Sequence, residues 1–509
     1  MHDTSKKILS LKDLARKSAE LRAKGKVVVL CHGTFDLLHT GHIRHLQLAR
    51  KEGDFLMVTV TADRHVNKGP DRPVFKEDMR AENLAALACV DFVALNQAPT
   101  AVNVIAEIQP TCYIKGSEYR DEASDVTGNI VHEKSAVESC GGRLVFTDDI
   151  TFSSTHLLNE YFGLFPPETR KYLKSFHQNY THQDIVAKIK ALSSLKVLVV
   201  GDAIIDEYHY VSPLGQSGKG YQLSVKYDSM EQFAGGSLAV ANHLAGFLDR
   251  ITLVTGLGRQ NSHEEFIRAK LAPNVEPQFF FQDDTPTVLK RRFVDSDLNK
   301  LFEVYFFSEN SPSEKFDREV CPWLEQKLDD YDLVIAPDFG NGFISTSMAE
   351  LLSAKSRFLA VNTQINSGNR GYNVITRYPR ADFVSLNEPE LRGASHNRHD
   401  PVDVLARHMA AKVKASYFAV TQGTKGAKLA APGEGKTYHV PALSTKVLDR
   451  IGAGDAFLTF TSLCLGGRLP ADLAIFAGSA AAALDVQIVC NREPVTPGNL
   501  FKYIGTLLK

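Results

Sequence analysis

Asp449-Arg-Ile-Gly-Ala-Gly-Asp455 stands directly before an apolar run that suits a helix, Ala456-Phe-Leu-Thr-Phe-Thr-Ser-Leu-Cys-Leu465. Gly452, Ala453 and Gly454 at a helix start expose successive backbone N–H groups. With the positive end of the helix dipole they form an anion hole. Asp455 is a poor phosphate ligand at such a point. It suits a general base, taking a proton from a hydroxyl while the hole stabilises a transferred phosphoryl group. GAGD alone also fits a glycine-rich turn whose Asp caps the helix, so the surrounding sequence has to decide.

Outward from this stretch the chain repeats one grammar. Lys196-Val-Leu-Val-Val200 leads into Gly-Asp-Ala-Ile-Ile-Asp206, and Lys26-Val-Val-Val-Leu-Cys31 leads into His-Gly-Thr-Phe-Asp36. A short buried strand ending in a small or polar motif is how open α/β sheets present ligands at their carboxyl edges. After the first start, Phe55–Thr61, Phe92–Leu95 and Thr111–Ile114 read as buried strands, and Lys76–Ala88 as a helix between them. After the second, LVIAPD, FLAVNT, FVSLN and YFAVTQG read as strands between helical segments. Alternating βα units imply parallel sheets. The fold class is therefore α/β, with two domains, each a mainly parallel sheet flanked by helices. The first is expected over 1–165 and the second over 195–509. Residues 166–194, with Pro166-Pro167 and an amphipathic stretch, read as the connection.

The 509 residues are 44% apolar, enough for a core in each domain, and the net charge of −1 gives no electrostatic case for a nucleic-acid or membrane partner. No run of 18 apolar residues occurs, and the N-terminus lacks the apolar segment of a secretory signal. The seven cysteines are scattered without a CxxC pair, which argues against a disulfide framework or zinc site and for a reducing cytoplasm.

The most specific feature of the N-terminal half is Gly33-Thr-Phe-Asp-Leu-Leu-His-Thr-Gly-His42. His39 and His42 fall where a strand gives way to a helix. Two imidazoles beside unpaired N–H groups suit a polyphosphate. Gly41 leaves room for its close approach. Such donors stabilise charge when a nucleoside triphosphate is attacked at its α-phosphorus. Two surface histidines at a helix start are the alternative reading of an isolated HxGH.

The string from Gly33 to Asp54 resembles the signature of the cytidylyltransferase-like nucleotidyltransferases, and the resemblance covers roughly residues 25–160. It implies a Rossmann-like domain and nucleotide contacts from Gly33, Thr34, Phe35 and Gly41. Ser153-Ser154-Thr155, ahead of a helical stretch, is similar to that family's hydroxyl motif. Lys68, in NKGPDRPV, and Lys115, in YIKGSEY, resemble phosphate-binding positions of the bacterial heptose-phosphate adenylyltransferase branch.

Residues 195–509 resemble the ribokinase (PfkB) sugar kinases, with several family elements in order. The resemblance makes Asp455 the base and Gly452, Ala453 and Gly454 the anion hole. It puts Asp202, Asp206, Gly235 and Gly236 on the acceptor side. It gives Asn387 and Glu390 (Asn-x-x-Glu) a role with magnesium, Glu390 acting indirectly, and gives Thr421, Gly423 and Gly426 contacts to the nucleotide. Thr285-Pro-Thr287 precedes a strand pair. The implied cofactors are Mg2+, with ATP in the kinase and ATP or CTP in the transferase. The implied partners are a small-molecule sugar or sugar phosphate, nucleotides, and further copies of the chain in a homo-oligomer.

Joined domains of these two kinds resemble the bifunctional enzymes of ADP-heptose synthesis, in which the kinase comes first; here the order is reversed. The substrate motifs depart as well. Gly235-Gly-Ser-Leu-Ala239 has Ala239 where those enzymes have a sugar-binding Asn. One such buried polar contact is worth about 1–3 kcal/mol of discrimination. Val361-Asn-Thr-Gln-Ile-Asn366 stands in place of Asp-Pro-Lys-Gly, so the phosphate-binding lysine is missing. Lys290, Arg291 and Arg292 are the candidate replacements. The expected function is a sugar kinase joined to a nucleotidyltransferase for an AMP- or CMP-activated sugar. Two alternatives are a polyol-phosphate cytidylyltransferase with a dedicated kinase, and a transferase with a sugar-sensing pseudokinase.

Overall fold

In the computed structural model, residues 4–66, 72–117, 129–147, 165–218, 220–308, 314–369 and 371–508 are described. Contacts divide the chain into two units, 1–167 with 501–509, and 168–500.

In the first unit, apolar runs with the expected periodicity form β1 (Val28–Gly33), β2 (Phe55–Thr61), β3 (Phe92–Asn96), β4 (Cys112–Gly116) and β5 (Arg143–Thr147). They make one parallel sheet in the order β3-β2-β1-β4-β5. Val29, Cys31, Leu56 and Val58 pack on one side of it, and Val28, Leu30, Met57 and Tyr113 on the other. Burial on both faces explains why these strands read as continuous apolar runs rather than alternating ones. The strand order reverses direction between β1 and β4. That switch point is where an open α/β sheet leaves a crevice for a ligand.

The second unit holds β6 (Val197–Val200), β7 (Ala203–Gln216), β8 (Leu223–Gly236), β9 (Ile251–Gln260), β10 (Val275–Pro286), β11 (Val288–Val294), β12 (Lys300–Phe306), β13 (Leu333–Asp338), β14 (Leu359–Thr363), β15 (Phe383–Asn387), β16 (Tyr417–Thr421), β17 (Ala427–Ala431) and β18 (Lys436–Val440). Nine of them form a sheet, β10-β9-β6-β13-β14-β15-β16-β17-β18, parallel up to β16 and antiparallel beyond it. The other four form a smaller sheet, β12-β11-β7-β8. Its long β7–β8 ribbon carries exposed side chains along its outer half.

The stretch 166–194, read from sequence as a connection, forms helices Pro167–His177 and His182–Lys190. From Glu168 onward it belongs to the second unit. Phe176 stacks on Phe476 with ring centroids 4.1 Å apart, and the Tyr180 hydroxyl donates to Asp472 at 2.9 Å. Its polar surface pattern hid a thin apolar stripe of Thr169, Leu173 and Phe176, and burying that stripe is what fixes the segment.

Candidate functional sites

The first candidate site is the crevice above β1 and β4. Helix Thr40–Lys51 starts there with His39 as its N-cap, Nδ1 accepting from the Gly41 N–H at 3.1 Å. An accepting Nδ1 puts the imidazole proton on Nε2, and that atom is buried with no hydrogen-bond partner among the described residues. Burial also lowers the His39 pKa, so the neutral ring is favoured. The His42 ring lies against it, centroids 4.0 Å apart, and Phe35 meets His42 edge-on at 5.4 Å. Phe35 itself has φ +51°, an uncommon conformation for a bulky residue and one associated with functional turns. Helix start, Nε2–H donor and switch point thus converge as an anion cradle.

Two buried residues that pattern reading passed over hold this cradle. Asp36 accepts from the N–H groups of Val74 (2.8 Å) and Phe75 (3.0 Å) and pairs with Arg72 at 3.5 Å. Arg80 is fully buried and donates to the carbonyls of Phe75 and Thr61 and to Asp63. In sequence Arg80 looks like an ordinary polar position of a surface helix. Lys115 does sit at the end of β4, but it pairs with the buried Glu133 at 2.8 Å. His32, next to it, bonds Thr59 and Thr61, and burial, then Lys115, drive its pKa down to about 3. Lys68, Ser153, Ser154 and Thr155 lie outside the described residues.

The second candidate site is at the carboxyl ends of the nine-stranded sheet. Gly452 caps helix Ala453–Gly466 with φ +100°. A Cβ there would lie 2.5 Å from Asn491 Oδ1 and 2.6 Å from Asp485 Oδ2, so only glycine fits. Asp449 anchors the approach to this turn, accepting from the Tyr208 hydroxyl (2.7 Å) and the Cys490 N–H (3.1 Å) and pairing with Lys300 (3.2 Å). Burial, then the carboxylate of Asp206, push the Asp455 carboxyl up to about 7, against the pull of Lys290. A base poised near 7 is well matched to proton abstraction at neutral pH.

Asp206 is buried on β7 and ion-paired with Arg292, which also bonds Glu303 at 2.9 Å. Gly235, opposite on β8, brings its Cα so close that a Cβ would lie 2.0 Å from Asp206 Oδ2. Asp202 is otherwise engaged. It accepts from the N–H groups of Phe339 (3.0 Å), Asn341 (3.5 Å) and Phe343 (3.0 Å), and so holds the loop after β13. In this arrangement its oxygens serve the backbone. A shallow cleft runs beside it, lined by Gly258, Gln282, Thr287, Ser308 and Asn341 among others.

Asn387 and Glu390 form a reciprocal helix capping box: each side chain bonds the other's backbone N–H at 2.8 Å. Glu390 also accepts from Ile365 N–H at 3.4 Å, and burial pushes its pKa up to about 7. A single buried carboxylate of this kind fits a magnesium ion held chiefly by phosphates and water, which it would touch through water. No group of three or more His, Cys, Asp or Glu side chains is placed to hold a metal ion among the described residues. Thr421 ends β16, and Gly423 and Gly426 follow with φ +58° and +85° in the turn to β17.

Two α/β sites, each at a helix N-terminus on the carboxyl edge of a sheet, are the candidate phosphate-handling regions. Residues 194–492 match the pfkB family carbohydrate kinases, and residues 30–157 match the cytidylyltransferase-like family. The first match takes in more than half of the sequence, and the chain belongs to the pfkB carbohydrate kinase family. Over the N-terminal region the chain is 39% identical across 155 residues to the bifunctional protein HldE of Trichlorobacter lovleyi, and 40% identical across 155 residues to that of Geotalea uraniireducens. Each alignment covers 30% of this chain and 30% of the relative's own length. Among solved structures, ribokinase from Thermotoga maritima superposes with a TM-score of 0.50 at 18% identity, covering 60% of this chain and 98% of that one. Phosphofructokinase-2 from Escherichia coli gives 0.50 at 15% identity, covering 62% and 100%. These likenesses establish a ribokinase-like fold. No helix among the described residues is long and apolar enough to cross a membrane.

Proposed function

We propose that the chain is a bifunctional enzyme of nucleotide-sugar synthesis. The second unit transfers the γ-phosphoryl group of ATP to a hydroxyl of a sugar or sugar phosphate. The first transfers AMP or CMP from a nucleoside triphosphate to a sugar phosphate and releases pyrophosphate. The observation that carries the reading is Asp455, with its carboxyl raised to about 7, three residues past the left-handed Gly452 at a helix start.

In the kinase step, Asp455 takes the proton of the acceptor hydroxyl as its oxygen bonds the γ-phosphorus and the bond to the β-phosphate bridge breaks, leaving ADP. The N–H groups of the Gly452–Gly454 turn receive the equatorial phosphoryl oxygens. Magnesium, when bound, neutralises phosphate charge, with Glu390 its water-mediated neighbour. Thr421, Gly423 and Gly426 line the nucleotide side, and Asp206 orients acceptor hydroxyls. In the transferase, an oxygen of the sugar phosphate bonds the α-phosphorus while pyrophosphate departs. His39 Nε2–H and His42 stabilise the charge on that phosphate chain. A homo-oligomer is supported by the small sheet, where Phe302, Val304 and Phe306 follow period two along β12 and all stay exposed.

The test is a paired assay on the full chain: ADP formation from ATP over a sugar panel, and pyrophosphate release from each of four nucleoside triphosphates with sugar phosphates. Sugar-dependent signals in both assays are expected. Sugar binding by calorimetry with no ADP formation would convert the kinase half into a sensor.

A further inference from the structure

Lys290, Arg291 and Arg292 are consecutive on β11, and alternation sends Arg291 to the opposite face from the other two. Arg291 is ion-paired with Glu207, and Arg292 with Asp206 and Glu303. Lys290 is 5% exposed, yet its ammonium makes no hydrogen bond or ion pair with any described residue. Its ammonium lies instead near two ring faces, 5.5 Å from Tyr305 and 5.7 Å from Phe339. Burying a cation without a bonded anion is costly, and burial holds its pKa below the usual lysine value. Asp206, Asp202 and Asp455 act on this ammonium through space but none bonds it, so its N–H donors are open to an anion.

Position says which group that is. Lys290 is in register with Asp206 across the β11–β7 pair, and Phe339 follows β13, so the ammonium faces the acceptor side of the unit. Asp455 feels charge from Asp206, Lys290 and Glu390, and Lys290 feels Asp206, Asp202 and Asp455. The Val361–Asn366 stretch carries no cation, and its amides have duties elsewhere. Asn362 donates to the Ser385 carbonyl (2.8 Å), and Asn366 donates to the Phe339 carbonyl (2.7 Å) while accepting from Gly368 and Asn369.

We infer that Lys290 binds an anionic group carried by the acceptor itself, a phosphate or a carboxylate distinct from the hydroxyl that is phosphorylated. The kinase acceptor is then an anionic sugar rather than a neutral one. The inference rests on the kinase reading above and adds the charge class of its acceptor.

The experiment compares acceptors that differ only in charge: a hexose with its 6-phosphate, and an aldose with its aldonic acid. The two pairs separate phosphate from carboxylate. The unmodified chain should favour the anionic member of at least one pair. Lys290→Gln should raise the KM for that member about 10- to 100-fold, the range of a lost hydrogen bond to a charged group. The KM for ATP should hold, and Lys290→Arg should restore part of the preference. Thermal melting and pyrophosphate release report whether the variant is folded. An unchanged anionic-to-neutral ratio in Lys290→Gln overturns the inference, as does a neutral sugar being the better acceptor of the unmodified chain. In either case turnover itself leaves the kinase reading standing. If no acceptor is phosphorylated, the kinase reading fails, and calorimetric binding of the same pairs to both proteins still decides the role of Lys290.

Discussion

The two helix starts at His39 and Gly452 solve a similar electrostatic problem with different residues. Both lie beyond the carboxyl edge of a sheet, and both carry N–H groups that suit a phosphate chain. The Gly452 turn pairs bare backbone with a carboxyl, Asp455, whose pKa is raised to about 7. The His39 turn has imidazoles instead, with His39 kept neutral and its Nε2–H free of any partner among the described residues. On the proposed reading, the acceptor accounts for the difference. A sugar hydroxyl must lose a proton as it attacks, so its site needs a base. A sugar phosphate is already mostly ionised at pH 7, so its site needs only donors that stabilise charge on the departing pyrophosphate.

Asp455→Asn is the strongest way to break this comparison. It removes the base and should cut phosphotransfer by about 10²- to 10⁴-fold while pyrophosphate release by the same protein continues. Near-normal ADP formation would show that the Gly452 site, too, works by charge stabilisation alone.

His39→Ala should slow nucleotidyl transfer by about 10²- to 10³-fold, as loss of an oxyanion donor does, with phosphotransfer spared. His39→Asn sharpens the point. Asn is a good N-cap, so the melting temperature should hold while transfer falls. Equal losses in both activities would instead indicate a folding defect.

The pH profiles should differ in the same sense. Asp455 must be deprotonated to act, and its raised value places that change at about 7. Phosphotransfer should therefore fall about tenfold per unit as pH drops below 7, on full-chain assays with saturating ATP. Nucleotidyl transfer has no such carboxyl and should not share that limb. Coincident profiles would remove the distinction.

The smallest effect concerns the capping box. Asn387→Ala should cost about 1 kcal/mol through its lost cap and lower the melting temperature by about 2–4 °C. A drop in phosphotransfer well beyond that loss of stability would give Asn387 a role with the nucleotide as well as the helix.

Much of this was legible in the sequence because the information is local. KVVVLC and KVLVV are strands wherever they are buried, and GAGD and HTGH start helices because the next residues are helical and apolar. Both domain types, the α/β class and the charge-stabilising turns follow from such short strings. What the sequence could not express is which long-range partner each polar group takes. Lys115 and Glu133 are eighteen residues apart and lie on neighbouring elements that only the sheet brings together. Asp202 spends its oxygens on backbone N–H groups more than 130 residues away. The connection at 166–194 reads as solvated until Phe476 covers Phe176.

The triplet Lys290-Arg291-Arg292 shows the division most plainly. Sequence alone showed three adjacent cations, candidates to meet an acceptor anion because Val361–Asn366 carries no lysine. Tertiary structure decided which of them are already paired. β7 and β12 bring Asp206, Glu207 and Glu303 against the two arginines and leave aromatic faces beside the lysine. Charge is a property of the residue, but whether that charge is already neutralised depends on the elements folded against it.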